Sequence, residues 1–308
     1  MAIQWFPGHM NKAKKAIAER AKNIDVVIEV LDARLPASSI SPLLAKTVRH
    51  IPCLKVLNKA DMADKNRTQQ WIEYFKKQNI TDAIAITALD HSGSLKVINA
   101  CKKLAPHRKG LEKPLRAMIC GVPNVGKSTL INTMIGKKSA KTGNEAGVTK
   151  AEQRLILADD FWLYDTPGML WQKIIVPESG YNLAIAGSVG RNAMDEEDVA
   201  LYLISYLKNN YLLALQQRYS LNELGEQTHD DEWLAHIAKR RGAVLSGNRV
   251  NYQKAAEIVL QDFRGGALGK ITLETPDKWA EWFAAALQIE KEKQAKQALQ
   301  KEMRQGKK

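Results

Sequence analysis

The chain is short of cysteine and has no long apolar run. Its three cysteines, Cys53, Cys101 and Cys120, are odd in number and form no CxxC pair among 308 residues. Cys53 and Cys120 sit inside apolar, strand-like runs, so all three read as reduced, packed thiols, and a cytosolic address is expected. No stretch of 18 apolar residues occurs and the N-terminus lacks a signal-peptide hydrophobic region, which sets aside secreted and membrane-spanning readings. Acidic residues are in deficit: 33 Asp plus Glu stand against 46 Lys plus Arg, for a formal charge of +13. That excess favours a polyanionic partner, nucleic acid or an acidic membrane surface, without choosing between them. With 45% hydrophobic and 26% charged residues, the composition is globular, and the length suits two domains.

Residues 1–10, MAIQWFPGHM, place Trp5 and Phe6 before a Pro7-Gly8 turn signal, and residues 11–23 read as a short basic helix. Buried-strand runs follow at Val26–Leu31, Cys53–Leu57 and Ile84–Thr87, with helix patterns over 40–49, 66–78 and 94–104. This alternation predicts a parallel sheet with helices on both faces. After a break at 105–114, a strand over Leu115–Cys120 enters a glycine-rich turn and a helix from about Lys127 to Ile135. Strands near 152–158 and 160–164 lead to the sequence DTPG. Beyond Pro177 the pattern is helical, over 182–189, 195–208, 210–218, 230–241, 252–264 and 276–288, which puts a boundary near 175. Asp195 to Asp198, DEED, reads as the acidic first turn of a helix, complementing its dipole. From Glu290 the tail carries seven Lys/Arg against three Glu and reads as a frayed helix or a disordered segment.

Three motifs carry chemistry. Gly121-Val-Pro123-Asn124-Val125-Gly126-Lys127-Ser128 matches G-x-x-x-x-G-K-[ST] between a strand and a helix. The glycines let backbone N–H groups converge on phosphates at a helix N-terminus, Lys127 reaches the β- and γ-phosphates, and the Ser128 hydroxyl ligates Mg²⁺. Asp165-Thr166-Pro167-Gly168 ends a strand about 40 residues on; the carboxylate suits Mg²⁺ through water, and the Gly168 N–H suits a γ-phosphate. Asn58-Lys59-Ala60-Asp61 follows the second strand, where a carboxylate matches the N1–H and exocyclic amine of guanine and rejects adenine. Thr87 and Ala88, after the third strand, are a weaker companion, with the Ala88 N–H aimed at guanine O6.

The order of these motifs is unusual, because the guanine-reading pair precedes the phosphate loop. Together with WFPGHM, Asp32-Ala-Arg34-Leu-Pro36, GVTK, DTPGM and Asp262-Phe-Arg264-Gly-Gly, the chain resembles the ribosome biogenesis GTPase A family of circularly permuted GTPases along its whole length. The resemblance implies a circularly permuted, doubly wound, mostly parallel α/β domain over residues 21–175. It adds an N-terminal segment over 1–20, an all-α RNA- and ribosome-binding domain over 176–289, and a basic tail over 290–308. It implies GTP hydrolysis to GDP and phosphate during late assembly of the large ribosomal subunit, with nucleotide state controlling association and release. The expected partners are the precursor subunit and ribosomal RNA, with no DNA and no stable membrane association, for a monomer. A protein-partnered signalling switch and a membrane-surface GTPase are the alternatives, the latter weakened by the absence of a bulky apolar face after Ile289.

The expected nucleotide contacts are Asn58, Lys59, Asp61, Thr87, Ala88, Pro123, Asn124, Val125, Gly126, Lys127, Ser128, Thr129 and Gly168. Mg²⁺ is expected at Ser128 and Thr149, and at Asp165 through water; potassium is expected at Asn124, where it would act as an arginine finger does. The chain departs from the family at Ala146, where PGVT is usual. Ras-like proteins carry a water-orienting glutamine after DTPG, and here Met169 and Leu170 stand instead. Neither polarises water, so His9 is the histidine the resemblance offers for that task, alongside Lys127, Thr149 and Gly168 as catalytic residues.

Overall fold

The computed structural model describes residues 17–42, 47–108, 110, 112–136, 153–166 and 174–305, with side chains at 153, 154 and 298–305 outside that description. The sheet begins with β1 (Val26–Asp32), whose seven residues are all buried. Val26, Ile28 and Val30 pack on one face with Leu54, Val97, Cys101 and Ile119. Val27 faces the other way, against Ile17, Ala21, Met118 and Tyr164. Burial on both faces replaces polar alternation with a continuous apolar run, as parallel sheets require. Glu29 interrupts that run and pairs with buried Lys55, directly across in register on β2 (Cys53–Asn58).

The remaining strands are β3 (Thr81–Ala85), β4 (Leu115–Cys120), β5 (Gln153–Ala158) and β6 (Phe161–Asp165). Their spatial order is β3-β2-β1-β4-β6-β5. All neighbouring pairs are parallel except β5 with β6 at one edge. The third strand starts three residues before its expected position, because pairing with β2 begins at Cys53 opposite Thr81. As an edge strand it keeps polar Thr81 and Asp82 half-exposed, so its apolar run marks only the C-terminal half.

Helices of the sheet unit described over their whole length are α1 (Lys65–Lys76), α2 (His91–Leu104) and α3 (Lys127–Ile135), and residues 17–21 are helical too. Asp64 starts α1 by accepting from the Asn66 and Arg67 amides, and Asp90 starts α2 by accepting from that of Ser92. After residue 174 come α4 (Pro177–Ile185), α5 (Glu196–Asn210), α6 (Leu212–Tyr219) and α7 (Asp230–Arg240). A two-strand hairpin, β7 (Val244–Leu245) and β8 (Arg249–Val250), precedes α8 (Tyr252–Arg264) and α9 (Pro276–Gln305). Asp195 caps α5 above its acidic first turn, as the DEED run predicts. Pro177 starts α4 at the first helical position, five residues before the apolar pattern alone suggests. The tail forms one helix with its predecessor as far as Gln305. No helix among the described residues is long and apolar enough to cross a membrane.

The helical segment shares a core with the sheet: Leu203, Ile204 and Val259 belong to the same buried cluster as Val30 and Ile119. The chain then returns to the sheet unit as a strap. The Ile271 N–H donates to the Met62 carbonyl (3.1 Å) and that of Leu273 to the Arg34 carbonyl (2.7 Å). Trp71 Nε1 donates to the Glu274 carbonyl (3.1 Å). Trp279 of α9 packs against the cluster of Leu31, Leu57, Trp71 and Phe75.

Candidate active site

The parallel topology brings the C-terminal ends of β1, β2, β4 and β6 to one edge, where open α/β sheets bind their ligands. The turn from β4 to α3 has two glycines with steric reasons. A Cβ at Gly121 would lie 2.6 Å from the Val30 carbonyl oxygen, and one at Gly126 would lie 2.2 Å from Asn58 Nδ2. Gly126 also has φ +91°, and Asn124, with a side chain, has φ +65°.

Three successive carbonyls of this loop are held by side chains from outside it. Ser188 Oγ donates to the Pro123 carbonyl (2.7 Å), Lys59 Nζ to that of Asn124 (2.6 Å), and Asn58 Nδ2 to that of Val125 (2.7 Å). With the carbonyls fixed on these partners, the loop's geometry is set by residues far apart in sequence. The Asn124 side chain reaches the helical segment, Nδ2 donating to the Gly187 carbonyl (2.6 Å).

The base-reading motif is tied to the same loop. Asn58, buried at the end of β2, accepts from the Ala88 N–H at Oδ1 (2.8 Å) while its amide nitrogen holds Val125. The Ala88 amide, expected to face guanine O6, serves here to satisfy a buried acceptor whose strand end lies beside its own. Thr87 Oγ1 donates to Asp61 Oδ1 (3.0 Å), so the two segments expected to read guanine touch at an exposed carboxylate. Thr133 of α3 donates to the Ala88 carbonyl (2.7 Å). Lys59 adopts φ +60°, uncommon for a side-chain-bearing residue, and its ammonium bridges the Asn124 carbonyl and Asp32 Oδ2 (2.8 Å). Burial pushes the Lys59 ammonium below its usual pKa despite the Asp32 charge.

Lys127 and Asp165 are both buried and form an ion pair. Burial raises the Asp165 pKa against the opposing pull of Lys127. The loop lysine and the carboxylate at the end of β6 therefore hold one another. Ser128 and Thr129 lie in the first turn of α3, and Ser128 is half-buried. Among the described residues no group of three or more His, Cys, Asp or Glu forms a metal cluster. A hydroxyl and a carboxylate at a strand-end phosphate loop instead suit a magnesium ion shared with phosphate oxygens. His9, Thr149, Gly168, Ala146, Met169 and Leu170 lie outside the described residues.

Asp32 and Arg34, which the sequence offers only through the family resemblance, are both 1% exposed and bonded through two nitrogens: Nε to Oδ1 and Nη2 to Oδ2, each 2.9 Å. Burial alone would raise the Asp32 pKa, and the Arg34 and Lys59 charges outweigh it, holding the carboxyl far below the usual range. Arg34 Nη1 donates to the Phe263 carbonyl (2.7 Å), and the guanidinium lies over the Phe263 ring. Arg264 in turn donates to the carbonyls of Ile185 (2.8 Å) and Ala184 (2.9 Å) at the end of α4. Glu274 on the strap is another residue with no sequence signal. It is 1% exposed and accepts from the Ser38 N–H (2.9 Å), the Ser38 hydroxyl and Asn182 Nδ2 (3.1 Å); burial pushes its pKa up to about 7.

A phosphate loop placed after its base-reading motif, on a mostly parallel sheet, defines a circularly permuted GTPase. A family profile described as RsgA GTPase matches residues 8–174, and one described as 50S ribosome-binding GTPase matches residues 116–242. Ribosome biogenesis GTPase A of Bacillus cereus is 44% identical over 288 residues, covering 91% of this chain and 96% of its own length. The protein of that name from Priestia megaterium is 42% identical over 286 residues, with 90% and 98% covered. A GDP-bound structure of TM YlqF superposes with a TM-score of 0.63 at 23% identity, covering 85% of this chain and 99% of that one, which shows the common fold. The chain belongs to the ribosome biogenesis GTPase A family.

Proposed function

We propose that this GTPase acts in late assembly of the large ribosomal subunit, and that its nucleotide state controls association with and release from the particle. The observation that carries this reading is the set of three loop carbonyls held by Asn58, Lys59 and Ser188. It ties guanine reading and phosphate binding to the helical segment in one unit. The loop amides and Lys127 bind the phosphates, and Asp61, oriented by Thr87, selects guanine. Ser128 and Thr149 would hold magnesium directly, with Asp165 acting through water; magnesium there would neutralise charge developing on the transferred phosphoryl group. In the nucleotide-free protein Asp165 holds Lys127; with nucleotide bound, Lys127 would turn to the phosphates and the freed carboxylate would be available to the water around magnesium. Gly168 senses the γ-phosphate. The segment after it runs directly into the helical segment, a short path from hydrolysis to partner affinity.

His9 supplies the water-orienting group that Met169 and Leu170 lack. Asn124 holds Gly187 through its side-chain nitrogen, and its oxygen has the right chemistry for potassium. The helical segment and the basic tail bind ribosomal RNA through phosphates, drawing on the chain's excess of 13 positive charges. Sedimentation of the protein with large-subunit precursors tests this reading. Co-sedimentation is expected with a non-hydrolysable GTP analogue and loss of it with GDP; equal association in both states, or none in either, overturns the proposal.

A further inference from the structure

We propose that the Gly187–Ser188 turn, held by Arg264, is a positioning element of the phosphate loop. On this proposal the helical segment completes the nucleotide site as well as responding to it. A loop binds phosphate when successive peptide N–H groups converge on one point, and that geometry turns the opposite edges of the same peptides, their carbonyls, outward. An outward carbonyl in a buried setting needs a donor, or its peptide rotates to find one. Asn58 and Lys59 supply two such donors from the base-reading motif. Ser188, 1% exposed, supplies the third, to Pro123, and the Pro123–Asn124 peptide it holds carries the Asn124 N–H.

The turn has local reasons to be rigid. The Ser188 N–H donates to the Leu183 carbonyl (2.8 Å) and the Gly187 N–H to that of Ala184 (3.0 Å), the paired closure that ends a helix on a left-handed glycine, here with φ +76°. The guanidinium of Arg264 takes the carbonyls of Ala184 and Ile185, placing positive charge at the negative end of α4. A Cβ at Gly187 would lie 3.3 Å from Arg264 Nε and 3.6 Å from Asn124 Nδ2, so turn, arginine and loop are in mutual contact. The connections close a ring. Lys59 holds Asp32, Asp32 holds Arg34, Arg34 holds the end of α8, Arg264 holds the end of α4, and Gly187 with Ser188 holds the loop that Lys59 also grips.

The proposal rests on the phosphate-loop reading, and one experiment separates the two. Dissociation of fluorescent mant-GDP is measured by stopped flow for the full-length parent, Ser188→Ala, Arg264→Lys and Lys127→Ala, alongside the melting temperature of each nucleotide-free protein. The expected result for Ser188→Ala is dissociation faster by roughly 3- to 10-fold, the effect of one lost hydrogen bond, with melting unchanged within about 2 °C. Arg264→Lys, whose half-buried side chain keeps its charge but loses the two-carbonyl grip, is expected to shift dissociation in the same direction and answers the question if Ser188→Ala does not fold. A parental dissociation rate in the folded variants, with or without a lower melting temperature, reduces the turn to a structural contact and overturns the proposal. Parental binding by Lys127→Ala would instead overturn the phosphate-loop reading itself.

Discussion

Lys59 Nζ lies 2.6 Å from the carbonyl oxygen of Asn124. In a chain where the base-reading motif comes first, this bond joins two halves of one site that the sequence separates by 65 positions. The lysine stays in a left-handed conformation because its ammonium is fixed at both ends, on the loop carbonyl and on Asp32.

The buried pair Asp32–Arg34 predicts a strong asymmetry between removing one partner and keeping both. Arg34→Met takes the guanidinium from the Phe263 carbonyl, which keeps the Gly266 N–H, and leaves the Asp32 carboxylate with Lys59 and the backbone N–H of residue 34. A loss of about 3–5 kcal/mol is expected from urea unfolding. A loss below about 1 kcal/mol would show that Lys59 suffices to stabilise Asp32.

Lys127→Ala is expected to abolish hydrolysis and, separately, to destabilise the nucleotide-free protein, because Asp165 is left buried without its ammonium. Adding Asp165→Asn should recover that stability without recovering hydrolysis. Denaturation midpoints of the single and double variants without nucleotide measure this coupling. Additive losses would mean that the pair does not form in solution.

Guanine specificity is expected to follow Asp61. Asp61→Asn should weaken GTP binding and favour xanthosine triphosphate, since the donor and acceptor pattern is exchanged. Thr87→Ala, which removes the hydroxyl that orients the carboxylate, should weaken GTP binding by a smaller factor, roughly 3-fold. Competition titration with both nucleotides gives the ratio. Unchanged GTP affinity in Asp61→Asn would remove the motif from the site.

Stability should fall as pH rises through neutrality, and Glu274 is the group responsible. Its carboxyl has a pKa near 4.5 in the unfolded chain and about 7 when folded. The folded state therefore binds more protons between those values, and the stabilising effect is full below about pH 4.5 and lost as pH passes 7. The shift corresponds to about 3 kcal/mol at ~1.4 kcal/mol per pKa unit. Glu274→Gln should flatten the dependence of the urea midpoint between pH 5.5 and 8.5. An equal slope in both proteins would reassign it to another group.

Removing residues after Leu287 should lower the salt dependence of RNA binding while nucleotide affinity stays at the parental value. Trp279 and Ala286 anchor α9 on the retained side of the cut. Affinity dominated by phosphates falls linearly on a log–log plot, by ~0.7–0.9 per contact. A full slope in the truncated protein would move the RNA contacts to the N-terminal basic helix.

The sheet and the loops at its edge were legible because they rest on local rules. Apolar runs mark β1, β2 and β4, and Gly121 and Gly126 mark a turn that admits no Cβ. The apolar run of β3 begins late because an edge strand keeps polar residues that hide its first half. Ser188, Glu274 and the pairing of Glu29 with Lys55 were not legible. Each acquires its role from a partner 26 or more positions away, and a serine after a glycine or a glutamate before a threonine carries no local sign of that. The sequence shows Arg264 as part of a family motif and, with Lys270, as a basic residue beside a glycine-rich loop suited to RNA. The fold instead turns the Arg264 guanidinium onto two carbonyls of α4. Its carbonyl partners follow from the packing of α8 against the end of α4, which no periodicity encodes.

The strap formed by residues 271–274 gives the molecule a direction in time. During synthesis the base-reading motif emerges early, and with it Asp32 and Arg34, two charges that the finished fold buries. The phosphate loop follows, but the carbonyls that receive Arg34 belong to residues 263 and 264, and the backbone that covers Arg34 belongs to residue 273. The N-terminal half of the chain must therefore wait for a segment 229 positions further on before its buried charges are fully paired. A nascent chain stopped before the strap holds every nucleotide-reading residue and still lacks the closure that fixes them. Folding of the site is completed from the C-terminal side of all its motifs.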